Sequence, residues 1–91
     1  MPYYWLAATL AALHEIEPHE VLQALGAQRR LPAPAVDASI RVLGIYARTL
    51  AGRPLLVTVR RSGNFDWWIL GARDMTDSEL ATFEAWETTD E

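Results

Sequence analysis

Apolar and polar positions are patterned most clearly between Leu55 and Trp86. Leu55-Leu56-Val57-Thr58-Val59 is rich in β-branched residues and carries a turn signal at each end, which predicts a strand. Ser62-Gly63-Asn64 supplies the turn, since Gly and Asn tolerate the positive φ of tight hairpins. A return strand is predicted from Phe65 to Ala72. Thr76-Asp77-Ser78-Glu79 then has the spacing of a capping box, in which a hydroxyl and a carboxylate satisfy the free amides at a helix start. Leu80, Phe83 and Trp86 recur at helical spacing and would lay that helix on the sheet.

The first half reads as a helical hairpin. Tyr3 to Leu6 could form a short strand, but the alanine-rich run through Leu13 favours helix, with Leu6, Leu10 and Leu13 on one face. Pro18 suits the first position of a second helix. Ile16 and Val21 have the spacing of a hydrophobic staple, and Gly26 is a credible stop. Gln28 to Ala38 contains Pro32 and Pro34 and reads as a loop, although an edge strand could hide in residues 33–38 or at 3–6. Ile40 to Arg48 is mostly β-branched or aromatic and reads as a strand. The expected class is α+β: a small antiparallel sheet of three to four strands, two N-terminal helices and one C-terminal helix, all three helices covering one face.

Composition narrows the picture. Ninety-one residues, 51% of them hydrophobic and four of them Trp, suit one domain with a small core, here taken as 1–91 with residues 87–91 as an acidic, loosely held end. The absence of cysteine excludes disulfides and thiolate zinc sites. No apolar run approaches ~20 residues, so no membrane span is expected, and the apolar start lacks the basic region of a signal peptide. A cytoplasmic location follows as the expectation. Residues 1–73 hold eight arginines against five acids, a balance of +3, whereas residues 74–91 hold seven acids and no base, together giving the net charge of −4. The split predicts a basic face with an acidic terminal element, or simply a solvated acidic helix.

Two stretches together resemble the BrnT family of bacterial toxins, compact RelE-like ribonucleases of toxin–antitoxin pairs. The first is His14-Glu15-Ile16-Glu17-Pro18-His19-Glu20-Val21, similar to the family's His-Gly-Val-Ser-x-Glu-Glu-Ala, with His14 at the histidine and Glu20 at the second glutamate. The second is Gly52-Arg53 before a hydrophobic strand, followed by Ala72-Arg73-x-x-Thr76-x-x-Glu79, the family's closing Ala-Arg, threonine and glutamate. The resemblance implies RNA cleavage without metal, under the control of a protein antitoxin. The sequence departs from the family at Glu15, where the family has glycine, at Leu13, at Trp68, often arginine in the family, and at Gly71, there often serine.

Metal-free RNA cleavage needs a base for the 2′-hydroxyl, an acid for the leaving oxygen and cations around the phosphate. His14 is the natural acid or base, or else a solvated histidine at a helix end. Glu20 is a candidate base, or a capping carboxylate. Arg73, which alternation places in phase with Trp67 and Ile69, is the candidate electrophile, or the partner of Asp74 or Glu79 at the strand–helix corner. Arg48, Arg60, Arg61 and Trp68 are candidates for binding RNA, by phosphate contact and base stacking. At most one of Arg60 and Arg61 can join Arg73, because they point to opposite faces; Phe65 and Trp67 lie among them. His19 stands five residues from His14, wrong for two metal ligands on one helical face, so no metal and no other cofactor is expected. No phosphate-binding loop, dinucleotide fingerprint or nucleophile elbow occurs. The rival reading is a catalytically silent protein-interaction domain that keeps the toxin-like fold.

Overall fold

The computed structural model describes residues 3–37, 39–63 and 66–89; Met1, Pro2, Ala38, Asn64, Phe65, Asp90 and Glu91 lie outside them. The order is β1 (Tyr3–Trp5), α1 (Ala7–Ala12), α2 (Pro18–Leu25), β2 (Leu31–Asp37), β3 (Ile40–Arg48), β4 (Pro54–Ser62), β5 (Asp66–Asp74) and α3 (Asp77–Glu87). The sheet order is β1-β5-β4-β3-β2, with β2 to β5 antiparallel and β1 parallel to β5. The class is α+β, but the expected antiparallel sheet of three to four strands is corrected to a mixed sheet of five.

Both extra strands lie where the sequence signal is weakest. β1 covers only Tyr3–Trp5 before the alanine-rich α1, so the helix expected across the whole run is confined to 7–12. β2 takes the place of the expected loop and is the edge strand offered as an alternative at 33–38, as β1 is the one offered at 3–6. Pro32 and Pro34 are tolerated because an edge strand needs ladder donors on one side only. No helix among the described residues is long and apolar enough to cross a membrane.

The helices divide between two faces, another correction. Val21, Ala24 and Leu25 of α2 join Ile45, Ala47, Leu55, Val57, Val59 and Ile69 in one buried cluster. Ile16, expected to staple onto Val21, is in the same cluster. Helix α3 lies on the opposite face. There Phe83 is 1% exposed, and Tyr46, Leu31 and Ala33 share a cavity wall with Ser78, Glu79, Thr82 and Phe83. Apolar positions on both sides of β3 and β4 therefore have partners, which explains why the two strands read as nearly continuous hydrophobic runs.

One irregularity decides where the site residues go. Val59 pairs with Ile69 and Thr58 with Gly71, leaving Leu70 unmatched in a β-bulge. The Leu70 carbonyl accepts a hydrogen bond from the buried Thr9 hydroxyl of α1 at 3.1 Å, so the displaced backbone still has a partner. Beyond the bulge the side-chain parity reverses. Ala72 and Asp74 now follow Val57 and Leu55 on the α2 face, while Arg73 sits opposite Leu56 on the α3 face. Strict alternation had put Arg73 in phase with Trp67 and Ile69; the extra residue puts it on the other side.

Candidate functional site

At the end of the sheet where β3 finishes and β4 begins, the connecting turn is tightly fixed. Gly52 has φ 91°, a left-handed value that suits glycine, and its amide donates to the Thr49 carbonyl at 2.9 Å. The Thr49 hydroxyl accepts from the Arg53 amide at 3.1 Å. Arg53 is thereby aimed at three partners. It forks onto Asp74 at 2.8 and 3.0 Å, reaches the Glu15 carbonyl at 2.8 Å and pairs with Glu20 at 3.3 Å. Arg53 joins the α1–α2 turn, α2 and the end of β5.

His14 and Glu20 belong to this end, on the α2 side. His14 is exposed in the turn between the two helices and makes no hydrogen bond among the described residues. Glu20 accepts from the Glu17 amide at 2.9 Å, the helix-start contact expected of it. That hydrogen bond, reinforced by Arg53, holds its carboxyl below the ordinary range despite some desolvation. A carboxylate so stabilised is a poorer base, the reverse of what a general base near neutrality requires.

Arg73 sits at the same end but across the sheet. It forks onto Glu79 at 2.7 and 2.8 Å and also donates to the Asp74 carbonyl at 3.1 Å. Glu79 in turn accepts from the Thr76 amide at 2.9 Å, and the Thr76 hydroxyl accepts from the Glu79 amide at 3.2 Å. The capping box expected from sequence is therefore present, with Arg73 locked onto its carboxylate. The Arg73 guanidinium, joined by the Thr76 amide, pushes the Glu79 pKa down to about 2. Arg48 is held likewise, forking onto Glu87 at 2.9 and 3.0 Å, with Glu84 at 3.5 Å.

Four acids of the terminal stretch, Asp74, Glu79, Glu84 and Glu87, thus pair with arginines of the body. The expected separation into a basic face and an acidic terminal element is corrected: much of the +3 and −7 split closes into intramolecular pairs. Arg29 adds a further tie, donating to the Glu87 carbonyl at 2.9 Å and lying 4.8 Å from the Trp86 ring centre. Glu87 is the last residue of α3 and accepts from both Arg48 and Arg29.

The other end of the sheet has a different chemistry. Arg60 lies seven residues beyond Arg53, about 23 Å at ~3.3 Å per strand residue. Neither it nor Arg61 joins Arg73. Cross-strand register builds two parallel rows there. Tyr4, Trp68 and Arg60 line up across β1, β5 and β4 on the α3 side, and Tyr3, Trp67 and Arg61 line up on the α2 side. The Tyr4 and Trp68 rings are 5.4 Å apart. Alternation implied that only one of Trp67 and Trp68 would be exposed; both are half-buried, with Trp67 against the core and Trp68 against Tyr4. Arg41 and Arg60 are exposed and pair with no carboxylate among the described residues, while Asp66 is an exposed acid at the same end.

Of the seven residues singled out by sequence, His14, Glu20, Arg48 and Arg73 gather at one end, and Arg60, Arg61 and Trp68 at the other. Even within the first group the sheet separates Arg73 from Glu20. Sequence reasoning gave no role to Arg53, Arg29, Arg41 or Tyr4. The pairing of Gly52 with Arg53 was the one available signal. No group of three His, Asp or Glu side chains placed for a metal occurs among the described residues. Compared with known proteins, the chain matches no protein-family model and no curated protein.

Proposed function

We propose that this chain is a domain of toxin-like build that binds single-stranded RNA across the far rim of its sheet, with its nuclease centre silent. The observation that carries the reading is the cross-strand row of Tyr4, Trp68 and the exposed Arg60, two adjacent rings beside a cation. Stacking surfaces interleaved with cations are what an unstacked strand needs, since every base has a π-face and every nucleotide a phosphate. The net charge of −4 does not decide against it. The carboxylates of the opposite end lie about 20 Å away, beyond the Debye length of ~8–10 Å, and most are already paired.

The near end supports the reading of a silent centre. Arg48, Arg53 and Arg73 are all occupied by carboxylates, Glu20 is stabilised as its anion, and Arg73 lies across the sheet from it. Residues of the closing motif, Arg73, Thr76 and Glu79, have a sufficient structural role in building the strand–helix corner.

One observation favours the second reading, active cleavage under an antitoxin. Glu15 has φ 63°, a left-handed value costly for a non-glycine residue, immediately after His14. This is the position at which the resembled family has glycine, so it supports the alignment and marks strain beside the histidine.

Fluorescence anisotropy with a short labelled single-stranded RNA at low salt, alongside a gel assay for cleavage, tests both readings. Binding that weakens in Trp68→Ala and Arg60→Gln, with RNA left intact, is expected. Cleavage by wild type that His14→Ala abolishes would establish the second reading, and absence of binding would end the first.

A further inference from the structure

A cavity of about 220 Å³ opens on the α2 side of the sheet, lined by Tyr3, Arg30, Pro32, Leu43 and Ile45. Its walls are mainly apolar, and Tyr3 and Arg30 are the lining residues that carry polar side-chain atoms. The Tyr3 hydroxyl is buried and has no hydrogen-bond partner among the described residues. A buried polar group left unmatched costs about 1–3 kcal/mol, so such groups are generally satisfied in the functional state. Arg30 is exposed and anchored, its Nη1 donating to the Leu25 carbonyl at 2.6 Å. The rest of its guanidinium is available at the rim.

Size and surroundings narrow the ligand. The volume falls below the ~300–1,000 Å³ typical of sites for drug-sized molecules, so the cavity suits one small planar group. Leu43 also floors a neighbouring hollow lined by Arg41, Val42, Arg61 and Trp67. Leu43 thus separates the cavity from the arginine- and tryptophan-bearing rim by a single side chain.

We propose that this cavity is a nucleobase site: one unstacked base of a bound RNA strand inserts between Leu43 and Pro32, its edge meets the Tyr3 hydroxyl, and its phosphate meets Arg30. This rests on the RNA-binding reading and gives it a means of preferring one base. A tyrosine hydroxyl can donate to a base carbonyl or ring nitrogen, or accept from an exocyclic amine. The Tyr4–Trp68 row, by contrast, accepts any base.

The test uses AMP, GMP, CMP and UMP as probes, titrated at low salt into the ¹⁵N-labelled chain and followed by amide shifts. One nucleotide should shift Leu43, Ile45 and Arg30 and bind more tightly than the others. Tyr3→Phe should weaken that nucleotide about three- to tenfold, the worth of one neutral hydrogen bond, and abolish the preference. Its melting temperature should stay the same or rise, because the variant removes an unmatched group. A fall in melting temperature would assign the hydroxyl a structural role and overturn the proposal, as would equal binding of all four nucleotides by wild type. Leu43→Trp, which fills the cavity, should abolish the shifts at Ile45. If RNA binds at Trp68 while no nucleotide perturbs the cavity, the base site fails and the RNA reading stands. If a nucleotide binds the cavity but RNA does not bind, the base site stands as a mononucleotide site and the RNA reading fails.

Discussion

The two ends of the sheet place the same residue type in opposite surroundings. At the end where β4 begins, Arg48, Arg53 and Arg73 each fork onto a carboxylate, joining α2, α3 and the strand ends. At the end where β4 finishes, Arg41 and Arg60 are exposed beside aromatic rings and meet no carboxylate among the described residues. An arginine is informative about ligand binding only after its partners are known. A guanidinium already filled by a planar carboxylate has lost the geometry that would recognise phosphate. The closing motif that suggests catalysis belongs to the first kind.

The largest expected effect tests whether the near end is structural. Phe83→Ala removes the only α3 side chain among the described residues that is fully buried, and should cost about 3–5 kcal/mol, measured by urea unfolding. RNA affinity of the folded fraction should be unaffected; a parallel loss would mean that the two ends are not independent. Next comes Trp68→Ala at the far end. It should weaken RNA binding by about 1–3 kcal/mol, roughly tenfold or more, with little change in stability.

Acid titration sharpens the near end further. The Glu79 carboxyl, 4.5 ordinarily, is pushed down to about 2 by Arg73. Below pH 4.5 the unfolded chain takes up a proton that the folded one refuses. The stabilisation is therefore complete above pH 4.5 and is lost as pH falls through 2. Glu79→Gln should lower stability at pH 7 and flatten the decline between pH 4.5 and 2, as followed by circular dichroism. Thr76→Ala should cost about 1 kcal/mol through the lost cap, by the same unfolding assay. The smallest effect is electrostatic. Arg60→Gln should reduce the slope of log affinity against log salt by about 0.7, the contribution of one single-strand phosphate contact.

Local chemistry was legible in the sequence, and long-range geometry was not. Thr76 and Glu79 cap α3 at the expected spacing, and Pro18 starts α2, because caps depend on neighbours within one turn. β3 and β4 were legible from their β-branched residues between turn signals, and β5 as the return strand after the Ser62-Gly63-Asn64 turn signal. β2 was obscured by its prolines, which signal a loop unless the strand is known to lie at an edge. β1 is three residues long, too short for periodicity to outweigh alanine. The bulge at Leu70 left only the trace of Gly71 inside a strand, yet it decides which face Arg73 occupies. Ion pairs such as Arg53 with Asp74 join residues 21 apart and follow from the hairpin register, which composition does not encode.

The most direct test of the contrast between the ends is one matched pair of substitutions, Arg53→Gln and Arg60→Gln, each measured for melting temperature and for affinity to single-stranded RNA. Arg53→Gln should lower the melting temperature and leave RNA affinity at the wild-type value. Arg60→Gln should change stability by no more than about 0.5 kcal/mol and weaken RNA binding at low salt. If Arg53→Gln instead loosens RNA at unchanged stability, the near end is the ligand site and the assignment of the two ends is reversed.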